Sequence, residues 1–381
     1  MSLREGLILE RSESRRYLAL IAFLLIALLV LLFLYYLLIK PPQIVGGGGK
    51  ETGMTNVFSI YGFGSDRLSR PTDVAVDDDG NIYIADSGKH RILVFDGDGR
   101  YVTKFGVAGK GKGQLWFPGG IAVDKDGNIF VLCKPLNKVV IFGSNRRPKW
   151  EIDVTNPEAV RVANNRLYIT TDRGIMIGTL KGEPISSFGR RGKAKGQVDM
   201  PSGIAVDKKG NVYVADSLNY RVQAFNTDGE SVWILGVPPP VEHGEIYYRS
   251  RTFGLPAGMV LADDGLLYVV DAFAGEIVLI NTQGKEVAKV GDWGHDDGQF
   301  YYPAGIAYAG NERFVIADKF NDRVQVVRIP SPVVGPAERA RRLILSPYLL
   351  IPLILLILVL VVWWWRNRAK RKLQEELQAT Y

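Results

Sequence analysis

The chain has 381 residues, of which 47% are hydrophobic and 42 are glycine, and its formal charge at pH 7 is +7. That length accommodates one domain of about 270 residues with appendages, and a single cysteine, Cys133, excludes an internal disulfide. The charge excess lies wholly in the terminal segments, because residues 52–337 balance 33 basic against 33 acidic side chains; a neutral body lacks the basic footprint of a nucleic-acid binder, so no nucleic-acid partner is expected.

Residues 1–16 are a short charged segment. The stretch 17–39, YLALIAFLLIALLVLLFLYYLLI, has no charged side chain and is long enough to span a bilayer as a helix. A cleavable leader would have a shorter apolar core and a small-residue cleavage site, so this stretch reads as an anchor. A linker over 40–55 follows, with four glycines at 46–49.

Residues 56–329 repeat. PTDVAVDDDGNIYIADSGKHRILVF begins at Pro71, PGGIAVDKDGNIFVLCKPLNKVVIF at Pro118 and PSGIAVDKKGNVYVADSLNYRVQAF at Pro201; further copies surround Pro157, Pro256 and Pro303. Successive prolines are separated by 47, 39, 44, 55 and 47 residues. Each copy holds short alternating runs cut by Gly, Asn and Asp clusters, the signature of antiparallel hairpins. Four short strands at a period of roughly 40 to 50 residues predict β-propeller blades, and six copies predict six blades. The copy at Pro157 is the weakest, having lost the GIAVD core and shortened its turns.

The string G-I-A-V-D-x-x-G-N-x-Y-V-A-D-S-x-N-x-R-V-Q resembles the NHL-repeat family. The resemblance implies an all-β, six-bladed propeller, in agreement with the repeat count, but no single activity: such repeats occur in RNA binders, receptor-kinase sensor domains and a metal-dependent amidating lyase. The sixth copy stops after three strands, whereas 56–63 (NVFSIYGF) looks like an outermost strand, so the N-terminal strand is expected to close the ring and remove its open edge. With the strands lettered a to d from the axis outward, the a–b and c–d turns share one face, and the b–c turns and d–a connections share the other. Both chain ends of the propeller then leave from the first face.

After a linker over 330–342, residues 343–365 form a second apolar stretch, which Pro347 and Pro352 should kink and which ends in Trp363, Trp364 and Trp365. The tail 366–381 is basic. Nine Lys and Arg flank the outer ends of the two stretches and five the inner ends. The expectation is two transmembrane helices, both termini in the cytoplasm and the propeller outside it, with the b–c/d–a face turned away from the bilayer.

Chemistry is sparse. Asp77–Asp79 and Asp263–Asp264 lie in a–b turns, where Asp caps its own backbone. No cofactor is expected. His90, His243 and His295 all fall on the d–a face, and a zinc site built from them is the alternative reading, a metal-dependent lyase or hydrolase at the axis. Against it, His90 is a recurrent position of the repeat. The d–a connections instead suggest binding. Lys110 and Lys112 lie between blades one and two, and Arg190, Arg191, Lys193 and Lys195 between blades three and four. His295 lies in the acidic connection between blades five and six. The long insertion between blades four and five adds Tyr247, Tyr248, Arg249, Arg251 and Phe253, an interface-like composition. The leading reading is a membrane-tethered scaffold whose outward face engages a protein or an anionic glycan.

Overall fold

A computed structural model describes residues 53–237, 241–242, 245–246 and 252–332, together with a few helical positions outside that range. Its six four-stranded antiparallel sheets are the six expected blades. In blade four the strands are Pro201–Val206, Val212–Asp216, Arg221–Phe225 and Ser231–Leu235, in that order from the axis. Alternation along these strands decides the packing, because successive side chains point to opposite faces of a sheet. Ile204, Val212, Val214 and Phe225 enter the core shared with blade three, whereas Ala205, Tyr213, Ala215 and Val222 enter the core shared with blade five. All six cores lie between neighbouring blades. No blade has a core of its own, so each depends on both neighbours.

The ring closes as expected. Thr55–Ile60 pairs antiparallel with Arg323–Arg328, from Thr55 opposite Arg328 to Ile60 opposite Val324, and becomes the outer strand of blade six. The closing strand is shorter than 56–63. Gly62 turns the chain at φ 124°, and Gly62–Phe63 pairs instead with Asp66–Arg67 in a small hairpin. Since Thr55 and Arg328 are paired, both ends of the propeller lie on the a–b/c–d face.

The a–b turns are capped as anticipated. Asp77 accepts hydrogen bonds from the Asp79 and Asn81 backbone N–H groups at 3.1 and 2.8 Å, and Asp207 repeats the arrangement with Lys209 and Asn211. Blade three keeps all four strands without the motif. Its a–b turn is reduced to Asn164-Asn165, both left-handed, which suits a two-residue hairpin loop. Its outer strand, Pro184–Phe188, carries Ser186 and Ser187, and a groove of about 540 Å³ opens beside it toward Ile152 of blade two.

Among the described residues no helix is long and apolar enough to cross a membrane. The stretches 17–39 and 343–365 lie almost entirely outside the described residues, where Leu24, Leu28, Val359, Leu360, Trp363 and Trp364 are helical positions.

Candidate functional site

The d–a face is built on three connections of one design, in alternate positions around the ring. In each, a glycine is followed five residues later by a glutamine: Gly109 and Gln114, Gly192 and Gln197, Gly294 and Gln299. The glutamine Oε1 accepts a backbone N–H three residues upstream, at 2.8 Å from Gly111, 3.1 Å from Ala194 and 3.2 Å from Asp296. A Cβ at Gly109, Gly192 or Gly294 would come within about 2.1 Å of that oxygen, so the spacing requires glycine. A short parallel pairing, Ala108 with Leu115, Arg191 with Val198 and Trp293 with Phe300, ties each connection across its base.

Buried polar groups hold two of these connections from below. Asp216 and Asp318, at the ends of strands b, accept the Asp199 and Tyr301 N–H groups and pair with Arg221 and Arg323, each at 2.8 Å. The guanidinium groups then donate to carbonyls of the connection, Arg221 to Ala194 and Gln197, and Arg323 to Asp296 and Gln299. Gln223 and Gln325 add a further hydrogen bond each to Gln197 and Gln299. Burial outweighs the Arg221 pairing and keeps the Asp216 carboxyl above its usual range. The connection between blades one and two lacks this clamp, because Cys133 replaces the Asp. Glu151 takes over, accepting the Gly113 N–H at 2.6 Å and pairing with Lys138 at 2.9 Å. Cys133 is fully buried and burial pushes its thiol up to about 11, so it is an inert core residue.

On these rigid connections Lys110, Lys112, Arg190, Arg191, Lys193 and Lys195 are all exposed. Lys110 stands 5.6 Å over the Trp116 ring, and Arg191 lies 3.6 Å from the half-buried Asp199, a long surface pair of little energetic weight. Tyr247, Tyr248, Arg249 and Arg251 lie outside the described residues. Phe253 is a correction: it is fully buried among Val222, Met259 and Val269 and cannot touch a partner. It lies three residues before the strand-a proline, and the other five blades bury Leu68, Leu115, Val154, Val198 and Phe300 at the same offset. Phe253 is the apolar plug of its connection.

The two described histidines, His90 and His295, make local contacts. His90 caps the blade-one b–c turn in a left-handed conformation, and its Nδ1 accepts the Phe117 N–H at 3.0 Å. Asn137 and Asp322 do the same for Asn156 and Arg70, so the position is a structural joint between neighbouring blades. His295 is exposed, with Nδ1 2.5 Å from Asn321 Oδ1. His243 is outside the described residues, and among the described residues no three His, Cys, Asp or Glu side chains gather as metal ligands.

The axis carries a pair of charges that motif reading missed. A cavity of about 180 Å³ lies where strands a of all six blades converge, with Gly and Ala making up about half of its lining. At the third position of strand a stand Gly120, Ala159, Gly203, Gly258 and Gly305, but blade one has Asp73; at the fifth stand Ala75, Ala122, Ala205, Val260 and Ala307, but blade three has Arg161. Arg161 reaches across the channel to the Ile204 and Met259 carbonyls at 3.3 and 3.0 Å. Asp73 accepts the Val74 and Ile121 N–H groups, both at 2.9 Å. Both side chains line the cavity. Burial pushes the Asp73 carboxyl up to about 6 although Arg161 opposes the shift. The two departures compensate each other in charge, which an alignment of the six copies column by column would have exposed.

A family model for the NHL repeat matches residues 199–225, and one described as a 6-bladed beta-propeller matches residues 67–152. Over 49 residues, 13% of this chain, it is 47% identical to Protein lin-41 of Caenorhabditis elegans, and over 74 residues, 19% of this chain, 38% identical to E3 ubiquitin-protein ligase TRIM71 of Rattus norvegicus. These matches span 4% and 8% of those proteins' own lengths. Among solved structures, a streptogramin B lyase has a TM-score of 0.52 at 13% identity, covering 74% of this chain and all of that one. A catalytically inactive virginiamycin B lyase from Staphylococcus aureus has a TM-score of 0.51 at 17% identity, covering 73% and 100%. At such identities the likeness is one of fold.

Proposed function

We propose that this chain, a six-bladed β-propeller that carries NHL repeats, is a binding module for an acidic protein, held on a membrane by its two terminal apolar stretches with the propeller outside the cytoplasm. The observation that carries the reading is the exposure of all six basic side chains on two like-built, rigid connections of a body that is charge-neutral as a whole. Rigid presentation matters because a preformed surface loses less entropy on binding. Both propeller ends lie on the opposite face, so a membrane tether would leave the basic connections facing away from the bilayer. Their charge would then steer a partner rather than hold the protein's own membrane.

The test uses the full-length chain with an aspartate-rich peptide as probe. Reversing all six basic residues to Glu should slow association at least tenfold at low salt and change dissociation little, because such charges act mainly on encounter. In the wild-type chain the same association should weaken as salt rises, since exposed charges are screened over about 8–10 Å at physiological ionic strength. Binding that ignores both salt and charge reversal would sink the proposal, and retention of heparin but not the peptide would assign the face to a glycan. Topology is checked separately: protease added outside intact cells should cleave the propeller, and a protected propeller would overturn the placement outside the cytoplasm.

A further inference from the structure

We infer that the mouth of the axial cavity receives a carboxylate side chain of a partner protein, seated on Lys319 in the place that Glu158 occupies beside Lys134. The inference deepens the proposed function and rests on its reading of the d–a face as the docking surface.

Blades two and six place a lysine at the same point, and only one of the two lysines has an acid beside it. In blade two the residue after strand b is Lys134, whose Nζ lies 2.5 Å from Glu158, the second residue of strand a in blade three. In blade six the residue after strand b is Lys319, and the second residue of strand a in blade one is Thr72. Thr72 offers no charge, and its hydroxyl donates to the Pro118 carbonyl at 2.8 Å. Among the described residues no carboxylate comes within 4.0 Å of the Lys319 ammonium. Its surroundings are the Phe320 ring, 5.3 Å from Nζ, and the cationic Arg70. The nearby acid Asp322 is engaged by the Arg70 backbone N–H at 2.6 Å. Burial, and after it the charge of Arg70, pushes the Lys319 ammonium down. A half-buried cation beside a second cation calls for an anion from outside the chain.

Size and surroundings favour a side chain over a sugar. A cavity of about 180 Å³ is smaller than the roughly 300–1,000 Å³ of pockets that enclose whole small molecules. Beside it lies an exposed aromatic surface: Phe273, Trp293 and Phe320 are 41%, 49% and 46% exposed. Tyr302 joins Phe273 and Phe320, with ring centroids 5.7 and 5.1 Å apart, and Tyr301 joins Trp293 at 5.1 Å. Such rings suit apolar residues flanking the acid. The recognised feature is therefore a Glu or Asp with apolar neighbours in a protein chain.

The experiment titrates the full-length chain with a capped, fluorescent pentapeptide that has glutamate at its centre and leucines beside it, and with its glutamine counterpart. Wild type should prefer the glutamate peptide at least tenfold. Lys319→Met should abolish the preference. Thr72→Glu should abolish it too and raise the melting temperature, because the new carboxylate pairs with Lys319 as Glu158 does with Lys134. The six-residue charge reversal should slow peptide binding but keep the preference. No preference in wild type, or a preference that survives Lys319→Met, overturns the inference; if the charge reversal still slows association of the aspartate-rich peptide, the proposed function stands without it. Free glutamate competing through Lys319 with no effect of Phe320→Ala would assign the mouth to a small carboxylate and overturn the protein occupant.

Discussion

Arg161→Ala should lower stability at pH 8 by about 3 kcal/mol, and adding Asp73→Gly should recover most of that loss. The single variant leaves the Asp73 carboxylate at the axis without the nearby Arg161 charge that favours its ionised form, and removing one of two charges coupled away from bulk water is costly. The figure is set low in the usual range because both side chains border a cavity that can admit water. The double variant restores the residue types that the other blades carry at those two columns, so the carboxylate and its need for a partner disappear together. Asp73→Gly alone should also destabilise, since Arg161 keeps its carbonyl partners but loses the opposing charge. Denaturant melts of the four chains give the coupling energy directly. The pH dependence has a definite sign. The folded-state pKa of Asp73 is raised from its ordinary 3.8 to about 6, so its favourable contribution is present below the lower value and is lost as pH rises through the upper one. The Arg161→Ala defect should therefore be largest above pH 6 and shrink toward pH 4. A defect that is independent of pH, or a double variant no better than the single, would show that the two charges do not act as a pair.

Removing the closing strand, by deleting residues 54–60, should cost about 5 kcal/mol or more. Met54 and Ile60 are buried, Phe58 packs against the core between blades six and one, and each large apolar side chain contributes about 1.5–3 kcal/mol. At about 2–4 °C per kcal/mol the melting temperature should fall by 10 °C or more. The loss has a second component, because Arg323–Arg328, with its buried Val324 and Val326, would become an unpaired edge. The shortened chain should also aggregate. Supplying residues 53–61 as a separate peptide should restore part of the melting temperature, whereas an equally long scrambled peptide should not. An unchanged melt would mean that blade six does not need its fourth strand.

Much of this architecture was legible because a strand pattern repeated six times averages out local ambiguity. In blade four, strands b, c and d begin and end where alternation and the Gly/Asn/Asp clusters place them. Exposure of the six basic residues was also legible, since glycine-rich connections cannot bury long cations. Phe253 misled because its neighbours Tyr247, Tyr248 and Arg249 give the insertion a surface composition, while its offset from Pro256, which fixes its burial, is visible only against the other copies. Asp73 and Arg161 were missed for a related reason. Motif reading follows what the copies share, and these residues matter because they depart from it. Lys319 needed coordinates: its missing partner shows only when Thr72 and Glu158 are seen to occupy equivalent places.

The pairing of Thr55–Ile60 with Arg323–Arg328 also sets an order of events on the ribosome. The closing strand is synthesised first and its partner among the last parts of the propeller. At about 5–20 residues per second, that first strand waits roughly 15–50 s for the partner it needs. Until then the nascent chain carries unpaired β-edges and a half-built core on its newest blade, the features that expose slow, non-local β-folds to misassembly. Whatever shields the chain during synthesis therefore has to act over the whole length of the ring, and release before residue 328 emerges would leave blades stacked but the circle open.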